Sequence, residues 1–276
     1  MSDFLTWINQ VGLRNIIWMT DIDETLVEKA ADPGALNAPT GLEDDCRDLD
    51  TLTGGRFYII TGRELPYIDQ LFPQKTLKAS CEYHNIMRFD KDAAPQEINP
   101  KPDWSLIDND LQSLTARFNG MVLRIKPFMR SLHYIGADTV RNDPAVKNDV
   151  QNELEQLLDR YEASTGQPLT IIDGGKVFDM GPGGLDKGNA VKEIINICND
   201  NALIPIYFGD SPGDLPAATI VQQLGGKFIA VGDDDRVTKS ADFHFKDPQE
   251  YRDVLQQILQ DNGLTSAQTP TAAPKP

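Results

Sequence analysis

The chain has 276 residues, 40% of them hydrophobic and 25% charged, which suits a globular protein of one large domain or two modest ones. Lysine and arginine number 26 against 42 aspartate and glutamate; the resulting net charge of -16 repels a phosphate-rich polymer and argues against nucleic-acid binding. No run reaches the roughly 20 apolar residues of a membrane helix, the scattered Cys46, Cys81 and Cys198 form neither a disulfide framework nor a zinc site, and the opening residues lack a secretory layout, so a cytoplasmic protein with buried, reduced thiols is expected.

The first apolar run, Ile16-Ile17-Trp18-Met19-Thr20, reads as a buried strand ending in Asp21 and Asp23. Residues 42–52 suit a helix. Phe57-Tyr58-Ile59-Ile60 suits a second strand, closed by Thr61-Gly62-Arg63, and residues 64–72 a helix stopped by Pro73. Alternating strands and helices imply a parallel α/β sheet. The middle breaks that rhythm. Residues 95–103 are proline-spotted and polar, as a linker would be. A helix is expected over 106–118, strands over 121–126, 131–135 and 169–172, and a helix over 143–161 with Val146, Val150, Leu154, Leu157 and Leu158 on one face. The alternation then resumes, with a helix over 186–198, a strand over 204–208 running into Gly209-Asp210, a helix over 215–224, a strand over 227–231 and a helix over 251–259. The expected organisation is a Rossmann-like parallel core, residues 1–95 and 181–262, interrupted by an α+β insert, residues 96–180. A disordered tail, residues 263–276, rich in Thr, Ala and Pro, follows.

The residues able to carry chemistry sit where strands end or helices begin. Asp21-Ile22-Asp23-Glu24-Thr25-Leu26 follows the first strand, and ligands of open parallel sheets bind at the carboxyl ends of strands. One carboxylate can attack phosphorus and the other can give a proton to the leaving oxygen; isolated loop acids would not explain an apolar strand ending in this hexapeptide. The Thr61 hydroxyl, with the backbone of Gly62 and Arg63, can bind phosphoryl oxygens. Alone that tripeptide reads as a plain turn, and its position after the second core strand gives it weight. Lys187, at a helix start, can join the helix N-terminus in neutralising an anion. Asp210, in Gly209-Asp210-Ser211-Pro212-Gly213-Asp214, can join Asp21 around a hard cation such as Mg2+.

In this order the four motifs resemble the haloacid dehalogenase superfamily of phosphohydrolases, over about residues 16–95 and 180–250. The resemblance implies Asp21 as nucleophile, Asp23 as acid and base, Thr61 as phosphate ligand and Lys187 as charge clamp. It also implies Mg2+ held by Asp21, the Asp23 carbonyl and Asp210, with Asp214 ligating or supporting from behind. Asp23 would have to be protonated when substrate binds, a form that nearby carboxylates would favour. The insert falls where this superfamily's C2-type cap sits, covering the site and selecting the substrate.

Three stretches resemble the trehalose-6-phosphate phosphatase family: Cys81-Glu82-Tyr83-His84-Asn85-Ile86-Met87-Arg88, Lys126 with His133-Tyr134, and Gly175 through Pro182. The resemblance implies Glu82, Lys126, His133 and Asp179 as substrate contacts. The chain departs from the family pattern at Arg124, Ile135, Asp179, Gly181 and Tyr83, which puts the sugar in question more than the chemistry. The expected function is therefore Mg2+-dependent hydrolysis of a sugar phosphate, trehalose 6-phosphate first. The alternatives are a phosphatase of the sucrose-phosphate or glycosyl-phosphoglycerate type, a phosphomannomutase-like phosphotransferase, and a phosphosugar sensor, against which the intact Asp21 and Asp23 count.

Overall fold

The computed structural model describes residues 2–28, 38–90, 93–184 and 186–264. Its elements in chain order are α1 (Ser2–Val11), β1 (Ile16–Thr20), α2 (Leu42–Leu52), β2 (Phe57–Ile60), α3 (Leu65–Leu71), β3 (Lys78–Cys81), β4 (Ile86–Arg88), β5 (Gln96–Glu97), α4 (Asp108–Ala116), β6 (Val122–Ile125), β7 (Arg130–His133), α5 (Asp138–Asn142), α6 (Pro144–Thr165), β8 (Leu169–Asp173), β9 (Val177–Pro182), α7 (Lys187–Cys198), β10 (Ile204–Gly209), α8 (Leu215–Gln223), β11 (Lys227–Val231), α9 (Asp235–Thr238), β12 (Phe243–Phe245) and α10 (Pro248–Asp261).

The larger sheet runs β12-β11-β10-β1-β2-β3-β4-β5. Every pair from β12 to β3 is parallel, and β4 and β5 add antiparallel strands at one edge. Strand β1 is buried along its whole length because both faces of the sheet are covered. Ile16 and Trp18 pack with side chains of α1, α2, α3 and α10, and Ile17 and Met19 pack with those of α7 and α8. With β1 between β2 and β10, the chain leaves it to either side, so its carboxyl end is the switch point where a parallel sheet opens a crevice.

A second, four-stranded antiparallel sheet, β6-β7-β9-β8, forms the cap. Alternation along its strands sorts the side chains. Leu132, Phe178 and Met180 join Val150, Leu154, Leu157 and Leu158 of α6 and Leu111 and Leu114 of α4 in a separate core. Ser131, His133 and Asp179 are the intervening residues, and so fall on the opposite face. Val146, expected on the buried stripe of α6, packs against that core while remaining partly exposed.

Two boundaries differ from expectation. Residues 96–97, expected in the insert, pair with β4 and belong to the larger sheet, whereas β9 continues the cap sheet to Pro182. The expected linker over 95–103 thus contains a short strand, because the β4–β5 pairing needs only backbone groups. The tail from residue 265 onward lies outside the described residues. Cys46 and Cys81 are buried free thiols and Cys198 is half-buried. No described helix is long and apolar enough to cross a membrane.

Candidate active site

Asp21 continues β1, its N–H donating to the Phe208 carbonyl at 2.9 Å. The chain then turns back on itself: the N–H groups of Leu26 and Val27 donate to the Ile22 carbonyl, and buried Ile22 and Leu26 anchor the loop. Thr61 follows β2 and Asp210 follows β10, so three neighbouring parallel strands deliver three functional side chains to one edge.

Lys187 opens α7, whose N-cap is Asp186, its carboxylate accepting from the Asn189 N–H at 3.0 Å. The buried Lys187 ammonium lies 2.8 Å from Asp21 Oδ2 and 2.6 Å from Asp214 Oδ1. Burial opposes its charge, but Asp21 and Asp214 outweigh that and hold its pKa above the ordinary lysine value. Asp21 is pushed up to about 7, first by burial and then by Asp214 and Asp23, against the lowering charge of Lys187. Burial, then Asp214 and Asp21, raise Asp210 well above the usual carboxylate range. Asp214 goes the other way: despite burial, the Lys187 charge and the hydrogen bonds from Lys187, Tyr207 and Ser211 lower it.

Asp21, Asp210 and Asp214 each offer a carboxylate oxygen within 4.8 Å of the others. Three hard oxygen donors with crowded negative charge fit a cation such as Mg2+ in kind. They are not equivalent. Asp214 accepts from Lys187 and Tyr207 on one oxygen, and from the Asp210 and Ser211 N–H groups and the Ser211 hydroxyl on the other. A carboxylate has about four lone-pair directions, and these donors fill them. Asp214 is therefore suited to holding Lys187 and the β10 loop, whereas Asp210, which takes the Thr25 hydroxyl at 3.0 Å, and Asp21 keep oxygen lone pairs for a cation. Gly209 leaves room for this arrangement: a Cβ there would lie 2.5 Å from the Asp214 side chain.

Asp23 faces a different partner from the one expected. Arg63 donates to both of its oxygens, Nε to Oδ2 and Nη2 to Oδ1, each at 2.7 Å. The expected neighbours were carboxylates; the group in direct contact with Asp23 is this two-pronged guanidinium. The two Asp23 bonds raise the Arg63 pKa although burial opposes its charge, and the guanidinium lies 4.4 Å over the Tyr67 ring.

A cleft of about 300 Å³ opens between the edge of the larger sheet and the cap. All the sequence-predicted site residues line it except Glu82 and Asp214, which are buried behind it. Thr61 is buried, its hydroxyl accepting from the Arg63 N–H at 3.1 Å. Lys126, which follows β6, donates to the Gly62 carbonyl at 2.9 Å and lies 3.5 Å from Asp179. His133 is pushed down to about 4, by burial first and by Lys126, Arg63 and Arg124 against Asp179, so its ring is neutral near pH 7. Glu82 does not reach the cleft. Its carboxylate accepts from the Phe128 N–H at 3.0 Å in the cap, and burial pushes it up to about 7 against the lowering bonds from the Phe128 and Met129 N–H groups and the charge of Lys126.

Tyr67, Glu64, Tyr83, Arg124 and Ser211 also line the cleft and were not among the predicted site residues. Tyr67 lies in the first turn of α3, close after Arg63, whose guanidinium lies over its ring. Tyr83 and Arg124 are marked in the sequence only as departures from a family pattern.

No protein-family model matches the chain. The chain is 28% identical over 231 residues, 84% of its length and 83% of the relative's, to a probable trehalose-phosphate phosphatase of Sinorhizobium fredii. It superposes on the C-terminal domain of Candida albicans trehalose-6-phosphate phosphatase with a TM-score of 0.74 at 18% identity, covering 95% of this chain and 97% of that one. A haloacid dehalogenase-like hydrolase from Bacteroides thetaiotaomicron superposes with a TM-score of 0.60 at 12% identity, over 88% of this chain and 99% of that one. The fold is that of the haloacid dehalogenase-like hydrolases. Within that fold the chain resembles the trehalose-phosphate phosphatases over both the core and the cap.

Proposed function

We propose that the protein is a phosphatase that hydrolyses a sugar phosphate, trehalose 6-phosphate first, through an aspartyl-phosphate on Asp21. The observation that carries this reading is the Asp21–Lys187 pair at 2.8 Å on the carboxyl edge of a parallel sheet, with Asp210 and Thr61 on the flanking strands. Phosphoryl transfer is mainly positioning and charge neutralisation. Asp21 and Asp210, with the Asp23 carbonyl, would hold Mg2+, which would supply positive charge against the phosphoryl oxygens. Lys187 supplies more and orients Asp21, Asp214 holds Lys187, and the Thr61 hydroxyl donates to a phosphoryl oxygen.

An Asp21 oxygen attacks phosphorus, the bond from phosphorus to the sugar oxygen breaks, and Asp23 gives that oxygen its proton. Asp23 then takes a proton from the water that attacks the aspartyl-phosphate, which frees inorganic phosphate and restores Asp21. Arg63 has to release Asp23 for that proton to be held, and a phosphoryl group entering beside it is the anion that draws it off. In the cap, Lys126, neutral His133 and Asp179 face the leaving group. A neutral imidazole donates from one nitrogen and accepts at the other, which suits hydroxyls.

The substrate rests on the names of the relatives, and the chemistry on the geometry. The test is phosphate release from trehalose 6-phosphate, sucrose 6-phosphate and glucose 6-phosphate, with Mg2+ and with a chelator. Selective, Mg2+-dependent release from trehalose 6-phosphate supports the full reading. Release from another sugar phosphate keeps the chemistry and changes the substrate, and no release from any of them contradicts it.

A further inference from the structure

Glu82, Tyr83 and His84 are consecutive non-glycine residues with φ of 49°, 54° and 75°. L residues rarely adopt this region singly, and a run of three persists only where the surroundings fix it. Here the Glu82 N–H donates to the Arg63 carbonyl at 3.0 Å and the Tyr83 N–H to the Thr61 carbonyl at 3.2 Å. The turn is thereby tied to the Thr61-Gly62-Arg63 loop, and it sends the Glu82 and Tyr83 side chains to the cap, while His84 Nδ1 stays 3.1 Å from the Ser80 hydroxyl of β3.

The Tyr83 ring presses on that loop, since a Cβ on Gly62 would come within 2.8 Å of ring Cε2. Phe128 and Met129 of the cap pack on the same ring. The phenol donates to Asp179 Oδ2 at 3.0 Å, the Ser131 hydroxyl donates to Oδ1, and Lys126 Nζ lies 3.5 Å from Oδ1. A buried carboxylate accepts from about four directions. The protein donors come from the core and cap sides, and Asp179 also lines the cleft. What remains is acceptor capacity facing the ligand.

We propose that Tyr83 is a positioning residue for sugar specificity: anchored to the phosphate-side loop of the core, it fixes Asp179 of the cap so that its open acceptor meets a hydroxyl of the leaving group. The proposal rests on the reading of the protein as a sugar-phosphate phosphatase and goes beyond it. Asp179 accepts and does not donate, so it selects a polyhydroxylated leaving group and repels an anionic one. Because a single ring touches Gly62 and holds Asp179, the distance between phosphate and sugar hydroxyl is set by the core and does not depend on the cap alone.

The test compares native protein with Tyr83→Phe, Asp179→Asn and the double variant. KM and kcat are measured on trehalose 6-phosphate, sucrose 6-phosphate and glucose 6-phosphate, alongside the inhibition constant of inorganic phosphate. Tyr83→Phe keeps the ring against Gly62 and removes only the hydroxyl. It should raise KM on the best substrate about 10-fold, the value of one hydrogen bond to a charged group, and leave kcat and phosphate inhibition unchanged. In the Asp179→Asn background the same change should add nothing, because the two residues act as one unit. An unchanged KM in Tyr83→Phe, an equal effect in both backgrounds, or weakened phosphate inhibition overturns the proposal. Absence of release from all three sugars, with Asp21→Asn as control, overturns the functional reading and the proposal together. Efficient native hydrolysis that Tyr83→Phe leaves untouched overturns the proposal alone.

Discussion

On the core side of the cleft, Asp21 and Asp210 extend from the ends of neighbouring parallel strands, and their support comes from the core: Lys187, itself held by Asp214, for Asp21, and the Thr25 hydroxyl for Asp210. At the seam, Glu82 of the core meets the Phe128 N–H of the cap, and Asp179 of the cap meets the Tyr83 hydroxyl of the core as well as Ser131 and Lys126 of the cap. None of the contacts in the first group involves a cap residue. The Glu82–Phe128 and Tyr83–Asp179 contacts exist only while cap and core are docked. In the proposed reading chemistry lies on the sheet edge and selection across the cleft, which accords with departures from the family pattern at the cleft residues Tyr83, Arg124 and Asp179, while Asp21, Thr61, Lys187 and Asp210 are kept.

The largest effect expected is on the core side. Asp21→Asn should fold and lose turnover by on the order of 10^4-fold or more, since no other group can replace an attacking carboxylate; steady-state phosphate release with circular dichroism of the variant checks both halves. Lys187→Met should cost stability as well as activity. It leaves buried Asp21 and Asp214 without their shared cation, and breaking such a pair costs about 3 kcal/mol or more, read as a fall in the denaturant midpoint. A variant as stable as the native chain would mean that Asp214 is held by Tyr207 and the β10 loop alone.

On the cap side the effects are smaller and depend on pH. The Glu82 pKa rises from 4.5 to about 7 on folding. A raised carboxylate contributes stability that is fully present below its unfolded value and is lost as pH rises through the folded value. Native protein should therefore lose melting temperature relative to Glu82→Gln between about pH 4.5 and pH 7, the variant being neutral throughout. Parallel melting curves across that range would show that Glu82 is not buried against the cap in solution. The smallest effect is at the cap tip, where Lys176 lies 3.5 Å from Glu24 and both are about half exposed. Lys176→Ala should change stability by less than about 1 kcal/mol, and a larger loss in the denaturant midpoint would place more of the docking energy at the tip than at Glu82 and Tyr83.

The same contrast explains what could be read from the sequence. Strands β1, β2, β10 and β11 are apolar runs covered on both faces, and a buried parallel strand has that signature. Asp21, Thr61 and Asp210 follow those runs directly and are found with them. Strand β3, Lys78-Ala79-Ser80-Cys81, is just as central but mixed in composition, and burial of small and polar side chains leaves no apolar run. The turn after it carries no glycine to announce three left-handed residues, so nothing local marks Glu82 or Tyr83 as cap-facing. The Arg63–Asp23 pair joins residues 40 apart in sequence, and only the adjacency of β1 and β2 brings them together. The saturation of Asp214 by five donors belongs to the packed β10 loop and not to any spacing.

The most direct test of the central claim, that Asp21 is the nucleophile, is chemical trapping. Protein mixed with Mg2+ and its best sugar phosphate is quenched, treated with borohydride and mapped by mass spectrometry. An aspartyl-phosphate is reduced to homoserine, so conversion at position 21, dependent on substrate and absent in Asp21→Asn, is the predicted result. Phosphate release with Asp21 unmodified, or conversion at another carboxylate, would contradict it.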